Sequence, residues 1–384
     1  MKIKIIFMCF IIIFIITSFG ICRQEDKDQF NDDMRKGRIP LVITSTIYSG
    51  GLYGWGIPYL LDVDYSRYYV GSEMVCVFGG FALSLLATKD YNSGQTVSKI
   101  IQGGAIIGTL YGLAIPAILN SDKAKTYIAT PMITTPLGAL GGYALSRRGG
   151  ISEGGVELSI FGSILGCAYG LATPYVIDVD SLDDKDKMRL YAGSAMIGIP
   201  VGAFGFNEIS KRLDIDKGQA RMIELGTCMG MYYGFNFVYF KDPGYTKPYI
   251  ASMMACTPIG TTAGILLTRN GSYDNGRGTL IILGTILGDV FGRGIAYLAG
   301  ADTWKEVSIG AVIFAPVGTF TTSILTRNMS PKMQKKASAL ESLPIVDTAS
   351  KLALLGAYLA IAKEKSKVPI YMELYRKAWD TNAH

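Results

Sequence analysis

The sequence predicts an all-α fold: five tandem helical hairpins, giving about ten long glycine-rich helices that span a membrane. Three observations carry this expectation. A Tyr/Phe-Gly pair recurs at Tyr53-Gly54, Tyr111-Gly112, Tyr169-Gly170, Tyr233-Gly234 and Phe291-Gly292, at intervals of 58, 58, 64 and 58 residues. Spacing this regular marks a repeat architecture. Small residues fall every fourth position up to each pair, as in Gly104, Gly108 and Gly112, a period that keeps them on one helical face. Finally, the stretches 100–121, 126–146, 158–177, 190–206, 248–268 and 307–326 hold no ionised side chain. Each is close to the roughly 20 residues that cross a hydrocarbon core.

The elements follow in chain order. Residues 1–22 read as a signal peptide, with Lys2 and Lys4 before the apolar run Ile5 to Phe19 and small residues at Ser18 and Gly20. Residues 23–39 read as a polar linker, and residues 40–328 as the five-repeat domain. Within each repeat an entry helix carries the glycines: Gly162, Gly166, Gly170; Gly226, Gly230, Gly234; Gly284, Gly288, Gly292. In the first repeat the series is Thr46, Gly50, Gly54. Such a strip lets a second helix approach closely, as in membrane helix packing. In an isolated helix each glycine would cost about 1 kcal/mol against alanine. A short loop with aspartates at Asp64, Asp122, Asp186 and Asp302 leads to the return helix.

Return helices carry a mid-helix proline at Pro136, Pro200, Pro258 and Pro316, so each is expected to kink and to leave a carbonyl in need of a neighbour. Ser152, Asp216 and Asp274 are placed to cap the next entry helix. Residues 329–384 break the pattern and read as a C-terminal cap or peripheral helical segment.

Composition excludes several classes of function. The single histidine is His384, which removes histidine-dependent catalysis and metal ligation. Cys76, Cys167, Cys228 and Cys256 stand singly, with no CxxC pair. No phosphate-cradling GxxxxGK[ST] occurs. The net charge of +6 is modest and does not interleave with aromatics, which opposes nucleic-acid binding. No catalytic residue, metal site or cofactor is expected.

Two groups of residues are candidates for function. Asp289 and Arg293 are an acid–base pair at i and i+4 deep in a span, and intramembrane ionisable groups are functional candidates by default. Arg67, Lys125, Arg189, Lys247 and Lys305 repeat in the first turn of the return helices, where a cation opposes its own helix dipole. They would make a basic rim for lipid phosphates, an acidic partner or an anion.

These features predict a non-enzymatic exported protein of the cell envelope, an integral helical-repeat scaffold. Its expected partners are membrane lipid and a protein partner or a second copy, with no nucleic acid. Charge placement leaves the choice of inner or outer membrane open. The alternatives are a transporter or channel with a polar path near Asp289 and Arg293, and a soluble exported binding α-solenoid, secreted or periplasmic.

Overall fold

The structure is a computed structural model that describes residues 37–88, 94–147, 151–177, 179, 182–241, 244–269 and 273–329. The segment 1–22 expected to be a signal peptide, residues 23–36 of the expected linker and, past Met329, the C-terminal segment lie outside the described residues.

Among the described residues every regular element is helical. Helix α1 (Arg38–Tyr48), a π-helical turn (Ser49–Gly54) and α2 (Trp55–Leu60) together form the first entry helix, followed by α3 (Ser66–Ala87). The next two hairpins are α4 (Gln95–Ile118) with α5 (Ala124–Ser146), and α6 (Glu153–Ile177) with α7 (Asp184–Leu213). The last two are α8 (Lys217–Lys241) with α9 (Lys247–Thr268), and α10 (Asn275–Leu298) with α11 (Trp304–Leu325). Six of these helices, α3, α4, α6, α9, α10 and α11, are long and apolar enough to cross a membrane.

The π-helical turn departs from the continuous first entry helix that the glycine spacing predicts. Ser49, Gly50 and Gly51 are weak helix formers. The Ser49 hydroxyl donates to the Cys76 carbonyl of α3 at 2.6 Å, which ties the widened turn to its hairpin partner.

Glycine sets the spacing inside each hairpin. A Cβ on Gly230 would stand 2.5 Å from the Cys256 carbonyl oxygen, and one on Gly234 would stand 2.6 Å from that of Ser252. Gly226 meets Gly260 in the same series, so partner numbers fall as entry-helix numbers rise and the helices run antiparallel. The α6/α7 pair repeats this with Gly162, Gly166 and Gly170 against Gly202, Gly198 and Ser194. Backbone against backbone at this distance gives dispersion contact and offsets the poor helix propensity of glycine. Hydroxyls add bonds across the pair: Thr227 to Thr261 at 2.8 Å and Thr285 to Thr319 at 2.7 Å.

The expected caps form at two of three positions. Ser152 Oγ accepts from the Gly155 N–H at 3.0 Å. Asp216 and Gln219 exchange bonds in a capping box, at 2.8 and 3.0 Å. Asp274 does not act this way: its side chain makes no cap bond, and its backbone carbonyl accepts from Gly278 at 3.0 Å instead.

Hairpins stack by a constant rule. Each entry helix packs on the next entry helix, and each return helix from α5 onward also packs on the entry helix of the hairpin before it. Entry helices therefore lie inside; α6 is buried along most of its length. Return helices lie outside, and no packed pair joins the first hairpin to the fifth among the described residues. The core is a chain of local clusters such as Phe161, Leu165, Met231, Ile250 and Met253 between α6, α8 and α9.

Candidate functional site: the joints between hairpins

The chemistry-bearing side chains collect at the joints between hairpins. The first set answers the prolines. Proline has no N–H, so the carbonyl four residues earlier loses its helical donor. For Pro136, Pro200, Pro258 and Pro316 those carbonyls belong to Met132, Met196, Met254 and Val312. Each accepts a bond from the marker tyrosine of the preceding hairpin. Tyr53 reaches Met132 at 2.6 Å, Tyr111 reaches Met196 at 3.0 Å, Tyr169 reaches Met254 at 2.7 Å and Tyr233 reaches Val312 at 3.0 Å.

The ends of the series match this rule. The position of the kinking proline in α3 is Phe78, and α3 has no hairpin before it to supply a hydroxyl. The marker of α10 is Phe291, and no described return helix follows α11 to accept from it.

A second set lies at the starts of the entry helices. Five residues before the first small residue of each glycine series stand Leu41, Lys99, Glu157, Arg221 and Thr279. The last four are all buried. Lys99 of α4 forms an ion pair with Glu157 of α6, and Arg221 of α8 donates to the Thr279 hydroxyl of α10. One turn earlier, Lys217 Nζ donates to Gln95 Oε1 at 3.4 Å, joining α8 to α4. The stack thus curls enough to bring three entry-helix starts together. The Lys99–Glu157 pair joins opposite charges in a setting where an isolated ion would cost several kcal/mol, and Arg221 has the Thr279 hydroxyl as an acceptor.

The third set is the predicted basic rim, whose members take different partners. Lys125 reaches back to the preceding hairpin, donating to the Leu60 carbonyl at 3.0 Å and to Asp62 at 2.5 Å. It therefore caps the carboxyl end of α2, which resolves why a cation sits at the start of its own helix. Arg189 pairs locally with Asp186 at 3.5 Å, and Arg67 lies over the rings of Tyr65 and Tyr68 at 5.1 and 5.2 Å. Lys247 and Lys305 occupy the first turns of α9 and α11.

Asp289 and Arg293 are brought together and given a third member. Arg293 donates to both carboxylate oxygens of Asp289, at 2.8 and 3.2 Å, and the Tyr232 hydroxyl of α8 donates to Oδ1 at 2.8 Å. The bidentate pair holds the α8/α10 joint where the equivalent residue of α8, Met231, is a core side chain. Asn236 lies on the same helix as Tyr232 and donates to its carbonyl at 2.8 Å.

Lys99, Glu157 and Arg221 escape a reading that begins each entry helix at its glycines. Comparing the register one turn and a half earlier reveals them. Among the described residues no group of His, Cys, Asp or Glu has metal-binding geometry. No family model, curated protein or solved structure matches the chain.

Proposed function

We propose that the protein is a non-enzymatic integral membrane scaffold of the cell envelope, built as one array of five tandem hairpins. The supporting observation is the inverted distribution of apolar surface. The outer return helices expose large hydrophobic residues in register: Ile133, Ile197 and Ile313, then Leu137, Val201 and Ile259, then Leu140, Phe204 and Phe320. In α3 no residue of the apolar stretch is buried. An unbroken apolar belt of this extent would aggregate in water, and hydrocarbon satisfies it directly. The polar groups are turned inward and used at the joints, as expected where lipid offers no hydrogen bonds.

The joints support a scaffold above a catalyst. The marker tyrosines, the Lys99–Glu157 pair and the facing glycines hold helices to one another. The chain is expected to stay in the membrane pellet through alkaline carbonate extraction and to need detergent for release. Recovery in the carbonate supernatant would remove the membrane reading and leave the soluble solenoid.

A further inference from the structure

We propose that the protein joins a second copy of itself head to tail, the outward face of α10 in one copy seating α3 of the next. The inference rests on the array of hairpins, and the two can fail separately.

Internal joints seat a return helix against one small residue of the preceding entry helix, at Gly56, Ala114 and Ala172, and the equivalent Asn236 is buried like them. A Cβ on Gly56 would stand 2.8 Å from Met132 Sδ. Ala114 shares a cluster with Met196, and Ala172 shares one with Met254. The fifth residue of the series is Gly294, and no atom lies within 4 Å of where its Cβ would be. Leu287, Val290 and Phe291 flank it and are exposed. The fifth member of the incoming series Met132, Met196, Met254 and Val312 is Met74 on α3, also exposed, beside exposed Val70. The chain therefore carries both halves of a joint that it makes four times, each unfilled among the described residues and at opposite ends of the stack.

The departures at the two ends are matched. Without a proline in α3, the Met74 carbonyl needs no outside donor. Without a hydroxyl on Phe291, the seat offers none. Two phenylalanines turn the tyrosine–carbonyl joint into an apolar one. The charges also match. Arg67 is the counterpart of Lys125 on the incoming helix, and exposed Asp302 stands at the loop after α10, near where Asp62 stands after α2. The end members of the buried register, Leu41 and Thr279, are uncharged, so neither end of the stack presents an ion there. The contact is heterologous, so its repetition gives a ring or a row.

The test uses full-length chain in lipid nanodiscs, with the native cysteines replaced by serine. Copies carrying Gly294→Cys are mixed with copies carrying Met74→Cys and oxidised. A disulfide-linked dimer is expected in the mixture, several-fold above either variant alone. Arg67→Glu on the Met74→Cys copy should cut its yield several-fold, and Asp302→Arg on the other copy should restore it. A Gly56→Cys/Met132→Cys chain must crosslink within itself; its failure would count against the array. With that bond formed, three results overturn the head-to-tail contact. They are a monomeric mass without mixed crosslink, equal crosslinking of Gly294→Cys alone, and a crosslink that appears only after residues 330–384 are removed. The second would mean a face-to-face dimer, and the third would mean that the chain covers its own α10.

Discussion

Replacing Glu157 with alanine is expected to destabilise the fold by about 3–5 kcal/mol, because it strands the Lys99 ammonium in a buried site. Glu157 is 1% exposed and Lys99 8%. Neither ion can recover hydration without opening the start of α4 against α6. The double change Lys99→Met/Glu157→Leu should behave differently. Two apolar side chains of similar volume remove both desolvation penalties, so stability should return to near the wild-type value or exceed it. Equilibrium unfolding in mixed micelles measures both. A cost below about 1 kcal/mol for the single change would mean that water reaches the ladder, as it does for exposed pairs.

Replacing Tyr169 with phenylalanine is expected to cost about 1–3 kcal/mol, since it leaves the Met254 carbonyl without a donor. The same change in a Pro258→Ala background should cost little, because the restored N–H at 258 can serve that carbonyl within α9. The coupling between the two sites, read from the double-mutant cycle, should therefore be about 1–2 kcal/mol. Simple additivity would show that the tyrosine acts by packing alone. Phe291→Tyr is the control in the opposite sense: no proline-freed carbonyl of the same chain faces it among the described residues, so no stability gain is expected.

Much of the architecture was legible in the spacing of small residues. A period of four over Gly226, Gly230 and Gly234 demands a helix with one narrow face, and that face meets α9 in the structure. The proline kinks were legible too, along with the need for a neighbour to serve their carbonyls. What could not be read was which neighbour. Tyr169 and Pro258 are 89 positions apart in sequence, and their pairing depends on how one hairpin sits on the next. A periodic pattern within a helix carries no information about that offset.

The same limit explains the basic positions. Lys125 looks misplaced against the dipole of α5, and only the packing of α5 on α2 shows that it serves the carboxyl end of a different helix. Asp289 and Arg293 were found as a pair from their i, i+4 spacing. Tyr232, the third member, is contributed by α8. The buried ladder was within reach of the sequence, because Lys99, Glu157 and Arg221 share one register. They sit in the first two turns of their helices, where charge usually reads as solvated helix ends.

Cysteine accessibility reads out whether the return helices cross the membrane. Single cysteines at Asp64, Thr88, Gly94 and Asp122 in sealed vesicles of one orientation would be challenged with a membrane-impermeant maleimide. Positions 64 and 122 are expected to label from one face of the membrane and positions 88 and 94 only from the other. Labelling of positions 64 and 88 from the same face would contradict membrane crossing, because α3 lies between them.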